Sequence, residues 1–276
     1  METLEPVRLL EVDHFVEGLF VKETAPSEPT RLHTPILMVH GVSHGWWAFR
    51  KWLTYFPNFG WRSYAMSLRN HPGSYGVSEE RYLQLGFQDY VDDVLAVLAW
   101  LDKPAILIGH SMGGIICQKV AEQKALRALV LVASVGPGQL GPIRDPLPID
   151  KPVMFSSDQA REQWFYRIDD ASFENIYRQL VPESPSVINE YSAGRVHVDS
   201  TKIQCPILVI GAQYDRTLVH DFRAIAAFHG SDYLFVPDAG HDLFLEPEAM
   251  NAAIGINRWL FAVLENEGLR FARPNT

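Results

Sequence analysis

The sequence predicts an α/β fold: a mostly parallel central sheet, helices on both faces, and a helical insert between two of its strands. Three observations carry that expectation. Short runs that are apolar throughout, PILMVHG (35–41), AILIG (105–109), ALVLVASV (128–135), ILVIGA (207–212) and YLFVP (233–237), alternate with segments of helical character. Strands covered on both faces read this way, because both sets of side chains are buried. Between two such runs the apolar spacing changes: Phe87, Tyr90, Val91, Val94, Leu95 and Leu98 recur at three and four, with Asp89, Asp92 and Asp93 between them, as in an amphipathic helix. Finally, 276 residues with 47% hydrophobic and 21% charged side chains suit one sizeable domain, large enough to need no disulfide or metal staple.

In chain order, LLEVDHFV and GLFVKE read as strands joined near Glu17-Gly18, followed by a polar, Pro-rich loop at 24–35. PILMVHG is the next strand, and SYAMSL (63–68) another. The helix beginning at Phe87 precedes the strand AILIG, and a second helix is expected from Met112 to Gln123. The last helix is expected from Pro247 to Leu264. The stretch 139–203 breaks the rhythm with a Pro-rich opening and the aromatic, helix-like patches QWFYR and SFENIYRQL. It predicts a cap, so the expected organisation is a core of residues 1–138 and 204–276 and a cap of 139–203.

A formal net charge of −9 argues against nucleic acid and anionic membrane as partners, since both select basic surface. Cys117 and Cys205 lie in no CxxC pair and make no disulfide framework. The opening METLEPVRLLEVD lacks a basic and apolar leader, and no run reaches the ~20 apolar residues of a membrane span. A cytoplasmic protein without metal or cofactor is expected; its oligomeric state is not legible.

Gly109-His110-Ser111-Met112-Gly113 matches Gly-x-Ser-x-Gly. A strand that turns sharply into a helix crowds the positions two before and two after the residue at the bend, which favours glycine there. The raised hydroxyl then sits near helical N–H groups that favour developing negative charge. Gly41-Val42-Ser43-His44-Gly45 fits the same pattern, but Trp46 and Trp47 follow it, whereas Ser111 follows a buried strand and precedes Gly113, Gly114 and a helix. Context therefore selects Ser111 as the nucleophile.

A serine hydroxyl needs a base, and the base an orienting acid. Asp215 lies just past ILVIGA and His241 just past YLFVP, and parallel strands bring both to the same sheet edge as Ser111. His220 and His229 are expected on or near a surface helix as solvated side chains, and His110 is expected to point away from Ser111. Asp238 and Asp242 are too close to His241 in sequence to reach its ring, and Asp199 precedes its strand. The backbone N–H groups of Val42 and Met112 are the candidate oxyanion donors. Gly136-Pro137-Gly138-Gln139-Leu140-Gly141 fits a dinucleotide pattern, but Pro142, Pro146, Pro148 and Pro152 exclude the helix that motif requires.

With HG at 40–41, GHSMGG at 109–114, Asp215 in GAQYD and His241 in GHD, in this order, the sequence resembles the α/β-hydrolase superfamily over roughly residues 35–264. SLRNHPGS (67–74) departs from that superfamily's DxRGxGxS segment at Ser67, Asn70 and Pro72. The resemblance implies an α/β-hydrolase fold. Ser111 stands where epoxide hydrolases and haloalkane dehalogenases carry Asp, and GHSMGG is similar to carboxylesterases, monoacylglycerol-lipase-like enzymes and some carbon–carbon bond hydrolases. The expected activity is hydrolysis of a small-molecule ester with a small or medium apolar acyl group. A lyase or carbon–carbon bond hydrolase using the same residues, or a ligand receptor with little turnover, are the alternatives. Trp46, Trp47, Trp164, Phe165, Tyr166 and Phe173 are the candidate pocket lining.

Overall fold

The computed structural model describes residues 8–30, 32–217 and 220–265. Among them, eight strands form one sheet: β1 (Leu9–Val16), β2 (Leu19–Pro26), β3 (Pro35–Val39), β4 (Arg62–Met66), β5 (Ile106–His110), β6 (Ala128–Val132), β7 (Ile207–Ala212) and β8 (Asp232–Val236). Their spatial order is β1-β2-β4-β3-β5-β6-β7-β8. β2 runs antiparallel to both β1 and β4, and the remaining pairings are parallel. Every strand read from the sequence is present, and the α/β fold class holds.

The described helices are α1 (Arg50–Tyr55), α2 (Glu79–Leu83), α3 (Phe87–Leu101), α4 (Met112–Ala121), α5 (Ser157–Trp164), α6 (Asp170–Tyr177), α7 (Pro185–Ser192), α8 (Phe222–His229) and α9 (Ala249–Glu265). None is long and apolar enough to cross a membrane. The period-two geometry of a strand divides each apolar run between two cores. Leu37, Val39, Leu107, Leu129, Leu131 and Val209 pack with α3, α4 and α8. Ile36, Met38, Ile106, Ile108, Val130, Val132, Leu208 and Ile210 pack on the other face with α1, α9, Trp164, Phe165 and Phe173. That division is why β3, β5 and β6 are buried at every position.

The helices of the 139–203 segment begin where polar side chains satisfy their free N–H groups. Ser156 accepts from the Gln159 amide, Asp169 from Ser172, and Ser184 from Val187, with Pro185 opening α7. These caps let regular helices resume after a proline run that excludes them.

Candidate active site

The site assembles at the rim where the parallel strands end. Ser111 lies between β5 and α4 with φ 53° and ψ −119°, a left-handed conformation that costs a residue with a Cβ about 1–3 kcal/mol. It is pinned on both sides: its amide donates to the Val132 carbonyl (3.1 Å), and its carbonyl accepts from Gly114 (2.9 Å) and Val135 (3.1 Å). Gly113 meets the β3 loop so closely that a Cβ there would collide with the carbonyl oxygens of Val39 and His40. A Cβ on Gly41 would lie 2.9 Å from the Cβ of Ser111, so the loop after β3 rests directly against the serine.

His241 and Asp215 meet across the ends of β8 and β7. Nδ1 of His241 donates to Oδ2 of Asp215 at 2.6 Å, with both side chains 3% exposed. Oδ1 of Asp215 accepts from the Thr217 amide (2.8 Å), which fixes the carboxylate plane. Burial disfavours the charged imidazole, but the charge and hydrogen bond of Asp215 outweigh it, and the His241 pKa lies above its ordinary value of 6.5. Ser111 and His241 line one cavity of about 180 Å³, together with Val42, His44, His110, Ile143, Phe155 and Trp164. The Val42 amide donates to no protein acceptor among the described residues. Met112 opens α4, where backbone N–H groups have no partner within the helix.

Several expectations about side chains need correction. His110 does not point away from the site: it lines the cavity, and its Nε2–H donates to the His241 carbonyl at 3.2 Å. Burial, then the neighbouring His241 and His44, holds its pKa well below 6.5, so it is a neutral strut. His220 and His229 are not solvated. His220 is 9% exposed and its Nδ1 accepts from the Gly136 amide, while burial lowers His229 to about 4. Of the six candidate lining aromatics, only Trp164 faces the cavity. Trp46 packs on Phe20 and beneath Arg50. Trp47, Phe165 and Phe173 are buried in the core on the α1/α9 face of the sheet, and Tyr166 stacks on Tyr214 at 3.8 Å. Large rings gain most by burial against apolar surface, and Trp47, Phe165 and Phe173 took it in that core rather than in the cavity wall. Phe155 lines the cavity instead.

The sequence did not reveal how the 139–203 segment grips the two loops of the site. The Glu183 carboxylate is fully buried and accepts from Tyr90 (2.5 Å), Ser184 N (2.9 Å), Tyr82 (3.1 Å), His71 Nε2 (3.1 Å) and the Ser43 amide (3.2 Å). The Val181 amide donates to the Ser43 carbonyl (3.0 Å). The peptide groups flanking Ser43, one residue beyond Val42, are thus held from both sides. Burial alone would raise the Glu183 pKa, but His71, the Tyr90 hydroxyl and the Ser184 amide reverse it to about 2, and the partnership raises His71. Glu246 does the same for the His241 loop, accepting from the Tyr166, Arg167 and Gly240 amides. A Glu between two prolines in VPESP is the single sequence hint of Glu183, and it does not indicate burial.

His44 faces the Val42 carbonyl with Nδ1 (2.7 Å) and Asp242 Oδ2 with Nε2 (3.1 Å). Among the described residues, His110, His241 and Asp242 are the group close enough to share a metal ion. Binding one would compete with the His44–Asp242 contact and with the His110 bond to the His241 carbonyl.

Residues 36–253 match the model of the alpha/beta hydrolase family, and the chain belongs to that family. Phospholipase YtpA of Bacillus subtilis is 34% identical over 99 residues, 32% of this chain; the match spans about a third of that relative's length (34%). The fold is similar to an esterase from Exiguobacterium antarcticum (TM-score 0.67, 17% identity, 88% of this chain and 95% of that one). It is likewise similar to a methylesterase, MES16, from Arabidopsis (TM-score 0.66, 19% identity, 83% of this chain and 99% of that one).

Proposed function

We propose that the protein is a serine carboxylesterase for small or medium apolar acyl esters, working through Ser111, His241 and Asp215. The observation that carries this reading is the 2.6 Å His241–Asp215 bond beside a serine held in a strained turn on the same cavity. Ser111 attacks the ester carbonyl as His241 Nε2 takes its proton. Asp215 fixes the tautomer and stabilises the imidazolium. The Val42 and Met112 amides receive the oxyanion, and each such donor is worth about 3 kcal/mol of barrier. His241 returns the proton to the departing alcohol, and water then cleaves the acyl-enzyme by the same route. Residues 139–203 act as the cap that closes the cavity. The chemistry reported for the YtpA relative, a phospholipase, and for the structurally similar esterases is compatible with ester cleavage here.

Turnover of p-nitrophenyl esters of graded acyl length tests the reading. The wild type is expected to hydrolyse the short members, and Ser111→Ala to lose at least about 10³-fold in kcat. Absence of turnover on every ester, or full activity in Ser111→Ala, overturns it. Preferential cleavage of vinylogous diketones would favour carbon–carbon bond hydrolysis by the same residues.

A further inference from the structure

We propose that Arg144 and Arg216 form an anion-recognition pair at the mouth of this cavity, so that the ester it accepts carries a carboxylate on the arm that reaches them; this rests on the reading of the site as an esterase. Both residues line the cavity, one from the 139–203 segment and one from the loop that carries Asp215. The mouth is therefore flanked by cations from two separate elements. Both are exposed, and among the described residues neither makes an ion pair or a hydrogen bond.

The other charged groups facing the cavity are already engaged. Asp242, the carboxylate that lines it, is fully buried and contacts His44 through Oδ2, and His241 is held from behind by Asp215. At its exposed end an occupant therefore meets two arginines without ion pairs, whereas the one lining carboxylate, Asp242, lies fully buried beside His44 and His110. The charge of Arg144 also reaches Tyr191, another lining residue, where it opposes the burial that pushes the tyrosine hydroxyl upward. This local sign runs against the whole chain, which has 33 acidic and 24 basic side chains. Guanidinium groups bind carboxylates through paired, charge-assisted hydrogen bonds. The inner wall, with Val42, Ile143, Phe155 and Trp164, suits the apolar part of the same molecule.

Two matched ester pairs test the proposal. Mono-p-nitrophenyl succinate against p-nitrophenyl butyrate places the charge on the acyl arm. 4-Butyryloxybenzoate against its methyl ester places it on the alcohol arm. In one pair, kcat/KM for the charged member is expected to exceed that of its neutral partner by about tenfold at low salt. The ratio should fall as salt rises and invert in Arg144→Glu/Arg216→Glu. Calorimetry of glutarate with the Ser111→Ala protein reads the same site without turnover, and binding should be lost with the charge reversal. Ester turnover with no charged preference in either pair, or a preference that survives charge reversal, overturns the anion pair. Arginine-dependent glutarate binding without turnover of any ester instead leaves the pair standing and removes the esterase reading.

Discussion

Ser111 occupies a backbone conformation that a residue with a Cβ avoids; hydrogen bonds with Val132, Gly114 and Val135 hold it there, Gly41 rests against its Cβ, and Gly113 lets the next helical turn approach the β3 loop. The glycines were legible because a steric demand leaves a compositional trace. Gly113→Ala forces a methyl group into the Val39 and His40 carbonyls. It is expected to lower stability by about 1–3 kcal/mol in chemical denaturation and to reduce kcat, as Ser111 shifts from the loop carrying Val42. A fully stable and active variant would contradict the close fit. The imidazole of His241 gives a pH prediction. In the proposed mechanism it must be neutral to accept the Ser111 proton, and its pKa lies above 6.5, so kcat/KM should rise with pH through an inflection above that value. In Asp215→Asn the raising charge is gone, and the inflection should move to lower pH while kcat falls by about 10⁴. An unmoved inflection would assign the base elsewhere. His44 and His110 left no comparable trace, because their roles arise from partners about 200 and 131 residues away, Asp242 and the His241 carbonyl.

Elements were legible where burial repeats. β3, β5, β6 and β7 are buried along their whole lengths, and their continuous apolar runs reveal it. The aromatic residues of the 139–203 segment were visible as apolar, but not the surface each one covers, since ring placement depends on how that segment docks. Glu183 shows the limit most clearly: its partners Ser43, His71, Tyr82 and Tyr90 lie 93 to 140 residues away. Glu183→Ala removes one member of a buried pair, a change that costs about 3–5 kcal/mol. If Glu183 positions the Val42 amide, the surviving folded protein loses kcat more than it gains in KM, and Glu183→Gln partly restores kcat. Equal changes in both constants would reduce Glu183 to a structural tie. The pH window follows from the two shifts. The Glu183 contribution to stability is present above its unfolded value of 4.5 and is lost as pH falls toward about 2. The His71 contribution is complete below 6.5 and is lost as pH rises through its raised pKa. Denaturant melts should therefore show the largest gap between wild type and Glu183→Gln between those two unfolded values, and a gap that grows steadily toward alkaline pH would contradict the ion pair.

Across the whole molecule, two cores on opposite faces of one sheet hold the strand ends in register, and the 139–203 segment contributes Ile143, Phe155 and Trp164 to the cavity wall. The resulting cavity, about 180 Å³, is close in size to the ~150 Å³ engineered cavity that accepts benzene. Acyl chains much longer than a benzene-sized group should therefore lose kcat/KM steeply, mainly through KM; a flat profile to long chains would mean that the rim opens. The sequence could place three loops at one edge of the sheet but could not size the space between them, because volume depends on which rings turn inward. Fluorophosphonate labelling followed by peptide mapping tests the central claim most directly. The expected adduct is on Ser111, absent in Ser111→Ala and slowed in His241→Ala. An adduct on Ser43, or no adduct on the folded protein, would contradict the account.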